Sequence, residues 1–446
     1  MEKLTNIPGL RHIAEEIFLN LDIADLQHCT QVNESWNQVL MNPSIWLQAC
    51  LKTGGLKKHG AQWLKALQLA KGTNLEENFT SYLKETIPSD YDLNDFSPIY
   101  LAAKAGDKRV IEVLVPLVDD SCLFDGSGHT PIYEAAKKGN VEVVKVLAPL
   151  TTNPNTLVDS WLFGYDTPIR VAAKRGYLEI IKVLLPLTEN PNAPGYGGET
   201  PIYSAARSGH LDVINALVPF SENLNAPKSK FPDPESPGEY CGNTPIYVAA
   251  MNGHLDIIKV LAPLSENPTA PNITGQTPIY AAALNGHTSI IKELLPYTDN
   301  PNAPDSFRES PLFVAAKKGY VEIVKLLAPL VEYANAPNQV GFTPIYIAAR
   351  KGRLDIIKEL LPFTNSPNTP KRNGETPIYA AAYFGHAMVI EELTKYTNNA
   401  NQSRDDGDTP ISVATRKGHA DVIKVLWAVV KGGTRKRSLQ DFLGDP

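Results

Sequence analysis

Ten dipeptides, each standing directly ahead of a glycine, carry the strongest chemical signal in the sequence. They are Lys104-Ala105, Lys137-Lys138, Lys174-Arg175, Arg207-Ser208, Met251-Asn252, Leu284-Asn285, Lys317-Lys318, Arg350-Lys351, Tyr383-Phe384 and Arg416-Lys417. Twelve of these twenty residues are Lys or Arg and none is acidic, although 48 acids in 446 residues would put about two there by chance. Cations gathered at one recurring position attract carboxylates and speed their capture. Part of the bias has a plainer origin, because a positive charge near a helix C-terminus is worth roughly 0.3–1 kcal/mol. That accounts for a preference, but not for the neutral pairs at 251–252 and 284–285 between two basic blocks. Single aromatic or apolar residues recur in the intervening segments, at Phe163, Tyr165, Tyr196, Tyr240, Ile273, Phe307 and Phe342. Aromatic anchors bordered by Arg and Lys are what protein-binding hot spots use. The expectation is a surface for an acidic, partly apolar peptide or protein. Lys137, Lys138, Lys174, Arg175, Lys317, Lys318, Arg350 and Lys351 supply its charge, and Phe163, Tyr165, Tyr196, Tyr240, Phe307 and Phe342 its anchors.

Catalysis has no comparable footing. His210, His254, His287, His386 and His419 each follow the glycine of their own copy, too far apart along the chain to share a metal. No Walker loop, GxSxG or HExxH is present. The sequence points to a protein that is not an enzyme and needs no cofactor or metal.

The elements that position the dipeptides follow from the same spacing. Thr-Pro or Ser-Pro before an apolar residue recurs at Ser97, Thr130, Thr167, Thr200, Thr244, Thr277, Ser310, Thr343, Thr376 and Thr409. The intervals are 33, 37, 33, 44, 33, 33, 33, 33 and 33 residues. In the copy beginning at Thr277, that residue can cap a helix whose first position is Pro278, where a missing N–H costs nothing. Ile279, Ala282 and Ala283 give a small-residue face, and Gly286 ends the helix. Ile290, Ile291, Leu294 and Leu295 form a bulkier second stripe. Burying four or five such side chains gains roughly 1.5–3 kcal/mol each. Ordering the backbone costs about 1–2 kcal/mol per residue, so a lone copy cannot fold and a stack can.

A 33-residue period with Thr-Pro, an Ala-Ala pair and Gly-His resembles the ankyrin repeat. The resemblance implies an all-α solenoid of about ten repeats, which binds proteins through its hairpin tips and the residue pairs ahead of the glycines. Two departures stand out. The usual Thr-Pro-Leu-His reads Thr-Pro-Ile-Tyr, with Tyr at 100, 133, 203, 247, 280, 346 and 379, where a phenol can fill volume and bond to a neighbouring backbone. Prolines at 116, 149, 186, 219, 263, 296, 329 and 362 should stop or kink each second helix in its last turn. Lys395 and Ala428 replace them later, so those helices should run longer. Insertions of four residues around 156–163 and eleven at 228–238 fall in the connecting hairpins, where they are tolerated and where binding often occurs.

Residues 1–50 lack the repeat. Apolar positions at Leu10, Ile13, Ile17, Leu21, Leu26, Cys29, Val32, Trp36 and Val39 predict two or three short amphipathic helices. The run EEIFLNLDIADLQHCTQVNESW (Glu15–Trp36), followed by NPSIW (Asn42–Trp46), resembles an F-box. The family's opening Leu-Pro is replaced by Gly9-Leu10, with Ile7-Pro8 displaced by two. F-boxes dock the Skp adaptor of cullin-based ubiquitin ligases. By that resemblance, Leu10, Ile13, Ile17, Leu26, Val32 and Trp36 form the adaptor interface or its support. The alternative is a helical cap over the first repeat, which any solenoid needs at its ends.

The remaining boundaries are set by composition. Residues 51–91 predict a helical linker or cap, 92–430 the ankyrin solenoid, and 431–446 a basic tail. A net charge of −6 disfavours nucleic acid as partner. Cys29, Cys50, Cys122 and Cys241 share no CxxC-like spacing and read as reduced thiols. With no membrane-length apolar run and no signal peptide, a cytoplasmic or nuclear location is expected. The whole reads as an all-α ankyrin solenoid preceded by a small F-box-like domain. Its expected function is substrate receptor of a Skp–cullin–F-box ligase. A plain ankyrin scaffold, or a pathogen effector that mimics a host F-box protein, remains the alternative.

Overall fold

In the computed structural model, the described residues are 98–108, 111, 112, 115, 130–151, 154, 155, 166–195, 198–228 and 242–433. The chain divides into two compact units, residues 1–205 with 212–221, and residues 206–211 with 222–446. The first holds α1 (Pro98–Ala105), α2 (Pro131–Lys138), α3 (Val141–Leu147), α4 (Pro168–Arg175) and α5 (Leu178–Leu184). Next come α6 (Pro201–Ser208) and α7 (Leu211–Leu217), each of which has residues in both units. The second unit continues with α8 (Pro245–Asn252), α9 (Leu255–Leu261), α10 (Pro278–Asn285), α11 (Thr288–Leu294), α12 (Pro311–Lys318) and α13 (Val321–Leu327). It ends with α14 (Pro344–Arg350), α15 (Leu354–Leu360), α16 (Pro377–Phe384), α17 (Ala387–Thr394), α18 (Pro410–Lys417) and α19 (Ala420–Gly433). This is the helix-turn-helix pattern of an ankyrin solenoid, and all regular elements among the described residues are helical.

The first helices share a pattern that α10 shows. In α10 the Thr277 hydroxyl accepts from Tyr280 N at 3.1 Å, Pro278 takes the first position, and Gly286 at φ 84° closes the helix in the left-handed region. Ile279, Ala282 and Ala283 are fully buried, as are Ile290, Ile291 and Leu294 of α11. Small side chains let first helices approach closely. In the first unit α1, α2 and α4 pack in succession, and in the second unit α8, α10, α12, α14, α16 and α18 do the same.

The prolines act where expected. Each removes one backbone donor, and the helix tightens into a 3-10 turn at Ala148–Leu150, Leu185–Leu187, Leu295–Tyr297 and Leu361–Phe363, whereas residues 262–264 around Pro263 form a plain turn and Pro116 lies outside the described residues. Second helices carrying the proline are seven residues long, such as α11 and α15. Without it, α17 has eight residues and α19 has fourteen.

The hairpins fasten five of the copies to their own first helices through an asparagine. Asn192, Asn302, Asn335, Asn368 and Asn401 each accept, through Oδ1, the backbone N–H ten residues ahead, at 2.8–3.1 Å. That N–H is one of the orphan donors of a helix start.

Candidate protein-binding cleft

Within the second unit the first helices start from a Thr or Ser cap and end at or one residue before a left-handed glycine, so their last residues recur at equivalent places on successively packed helices. In the second unit this brings four of the expected basic residues into one open cleft of about 670 Å³. Lys317 and Lys318 end α12, and Arg350 ends α14 with Lys351 as its cap; all four side chains are exposed. Ile347 and Phe384 give the cleft an apolar lining, and His386 completes it.

The cleft has an uneven charge. Glu309 accepts from Lys317 Nζ at 3.2 Å, while Lys318, Arg350 and Lys351 have no carboxylate partner among the described residues. Phe384 is 45% exposed, with the Arg350 guanidinium 5.6 Å from its ring centre. Tyr383 lies beside it in an edge-on pair at 4.9 Å, under Lys417 Nζ at 4.5 Å. Aromatic rings bordered by cations can hold an apolar side chain flanked by carboxylates. Among the described residues, no three His, Cys, Asp or Glu side chains converge as a metal site would require.

The other expected anchors are distributed differently. In the first unit Lys138 and Arg175 are exposed, whereas Lys137 sits 3.5 Å from Glu134 and 5.5 Å over the Tyr133 ring. Lys174 is exposed at the end of α4. Phe307 projects from its hairpin at 59% exposure. Phe342 turns inward instead, stacked at 4.9 Å on Tyr346 with Lys371 Nζ 5.1 Å from its ring. Phe163, Tyr165, Tyr196 and Tyr240 lie outside the described residues, as do all four cysteines and Leu10, Ile13, Ile17, Leu26, Val32 and Trp36.

Polar ladders between copies are the feature that residue types alone did not disclose. In four copies the tyrosine of Thr-Pro-Ile-Tyr bonds to a side chain of the next copy rather than to its backbone. Tyr133 donates to Asp166 at 3.4 Å, Tyr247 to Gln276 at 3.0 Å, and Tyr379 to Asp408 at 2.8 Å. Burial and then the nearby Asp166 push the Tyr133 hydroxyl well above its ordinary value. Arg170 occupies the tyrosine slot in α4 and is buried between Asp166, at 2.5 Å, and Glu199, at 2.8 Å. Burial disfavours its charge, but Asp166 and Glu199 more than offset this and raise its affinity for the proton. The signal lay in the residue just ahead of each Thr-Pro, which is Asp166, Glu199, Gln276, Glu375 or Asp408 in these copies.

Comparison with known families places this arrangement. The family described as ankyrin repeats (three copies) matches residues 68–158, 152–228, 224–305, 299–371 and 363–432. A family described as F-box-like matches residues 11–52. No curated protein matches the chain. No helix among the described residues is long and apolar enough to cross a membrane.

Proposed function

The chain belongs to the ankyrin-repeat family, and we propose that it serves as substrate receptor of a Skp–cullin–F-box ubiquitin ligase. Ankyrin repeats and F-box-like segments are both protein-interaction modules. In this reading Leu10, Ile13, Ile17, Leu26, Val32 and Trp36 dock the Skp-family adaptor, and the repeats hold the protein to be modified. The succession of the two family matches along one chain carries the reading, residues 11–52 followed by 68–432. The receptor forms and breaks no bond itself. It raises the effective concentration of target lysines near the conjugating enzyme that the ligase recruits.

Co-expression with a Skp adaptor and cullin, followed by purification on the chain, tests this. The adaptor should be retained, and Trp36→Ala or Leu26→Ala should release it while the helical signal of the repeats is unchanged. A well-folded chain that never retains the adaptor would instead be an ankyrin scaffold whose first fifty residues only cap the stack.

A further inference from the structure

The first-helix ends of the second unit are ordered as well as basic. The ends of α8 and α10 are neutral, with Met251 and Leu284 half-buried. The next two, α12 and α14, end on the cations of the cleft, α16 ends on Tyr383-Phe384, and α18 ends on Arg416-Lys417. Consecutive members of this series pack directly on one another. Packed helices lie about 8–10 Å apart, and an extended chain rises about 3.3 Å per residue. A segment laid across the helix ends therefore passes one end about every three residues.

We propose that the second unit reads an extended acidic segment of its partner protein in steps of about three residues. The order is an apolar, uncharged stretch against α8 and α10, two acidic steps against α12 and α14, one aromatic or large apolar residue against Phe384, and a last acidic step at α18. This rests on the repeats being the target-binding part of the chain, and it names the chemistry of that target. Three observations support the order from α12 onward, and the neutral ends of α8 and α10 support its beginning. Lys318, Arg350 and Lys351 face no carboxylate among the described residues, so the middle of the series has uncompensated positive charge. At α18 the positive charge is partly met from within, since Asp408 holds Arg416. Between these blocks Phe384 and Tyr383 expose ring surface, at 45% and 39%, with cations already on it from Arg350 and Lys417. A uniform polyanion would set a carboxylate against that surface; a segment with an apolar residue there would not.

The probe is a fluorescein-labelled peptide of about 18 residues, six steps of three. Its sequence is LGSLGSDESDESFGSDES, and the panel adds the reversed sequence and a scramble of the same composition. Titrated with the full-length chain, one of the two ordered peptides should bind roughly tenfold tighter than the scramble. Lys318→Glu combined with Lys351→Glu should abolish binding of all three. Phe384→Ala should remove the advantage over the scramble and leave the charge-driven remainder. All these residues are exposed, and unchanged thermal unfolding of the variants confirms that their folds are intact. Equal binding of ordered and scrambled peptides overturns the proposal, and so does the absence of binding by any of them. Adaptor retention, measured on the same preparation, reports separately on the ligase reading. Its loss with ordered-peptide binding intact sinks that reading alone.

Discussion

The Tyr346 hydroxyl donates to Glu375 Oε1 at 2.5 Å, joining residues 29 apart in adjacent copies. The same separation links Tyr247 to Gln276, Tyr379 to Asp408 and Arg170 to Glu199. Tyr133 and Asp166 are 33 apart because four residues are inserted between them. The copy with Phe313 in the tyrosine slot has Phe342 at the position 29 residues on, so donor and acceptor are absent together. Tyr346→Phe should therefore lower stability by about 1–2 kcal/mol, toward the low end because Lys371 still compensates Glu375 at 2.8 Å. Equilibrium urea unfolding followed by circular dichroism measures this. An unchanged midpoint would mean that these bridges are incidental to the stack.

The carboxylates of the ladder make stability depend on pH. Burial would raise Glu375, but bonds from Lys371 and Tyr346 outweigh it and hold its carboxyl below the ordinary value. Burial would likewise raise Asp408; bonds from Arg416, Ser412 and Tyr379 instead bring it from 3.8 down to about 2. A folded-state value below the unfolded one means stability that is complete above the unfolded value and lost as pH falls through the folded one. The loss attributable to Asp408 should thus run from about pH 4 down to about pH 2. Asp408→Asn should be less stable than the parent at pH 7 and flatter below pH 4. Parallel profiles for the two proteins would exclude the linkage.

Arg170 carries a heavier structural duty than any tyrosine in its slot. Its removal takes the guanidinium from between Asp166 and Glu199, the latter buried. Breaking a buried pair in this way costs about 3–5 kcal/mol. Arg170→Ala should lose that much, while Arg170→Tyr, which returns the residue found in neighbouring copies and one hydroxyl donor, should lose less. Thermal unfolding of the two variants decides the matter, and equal losses would show that the guanidinium matters only as a charge.

Partner capture offers a test of electrostatics in the first unit. Reversing Lys137, Lys138, Lys174 and Arg175 to Glu should slow association with an acidic partner and weaken its dependence on salt, the remaining slope coming from the cations of the second unit, because charges at the helix ends act mainly on encounter. Stopped-flow association over a range of ionic strength measures both effects. Association that keeps its rate and salt slope in the variant would assign capture to other surfaces.

How far the sequence foretold this molecule depends on the range of each interaction. Thr277, Pro278 and Gly286 act within one helix, so spacing alone located the caps, and the prolines located where the second helices stop. The basic pairs were legible for the same reason, since each shares its place relative to a glycine. Convergence of Lys317, Lys318, Arg350 and Lys351 on Phe384 was only implicit, as it depends on how closely α12, α14 and α16 stack. The Tyr346–Glu375 bridge was missed because its partners lie 29 residues apart and meet only once the register of the stack is known. Phe342, expected as a hairpin anchor, stacks on Tyr346, a contact that likewise depends on the register of the stack.

Glycines at the first-helix ends separate two costs that sequence alone would merge. Gly209 and Gly418 have similar backbones, at φ 84° and 76°, so an alanine at either meets the same left-handed strain. A Cβ on Gly418 meets nothing within 4 Å, whereas one on Gly209 would lie 2.6 Å from His254 Cε1. That imidazole cannot simply swing aside, because its Nε2 pairs with the Arg207 carbonyl at 3.3 Å. Gly209→Ala should therefore be the more damaging by about 1–2 kcal/mol, the excess being the overpacking and the lost bond. Adding His254→Ala removes the obstructing ring, so the excess should vanish in the double variant. Chemical unfolding of the four proteins gives the coupling directly, and additive losses would place the cost of Gly209→Ala in its backbone alone.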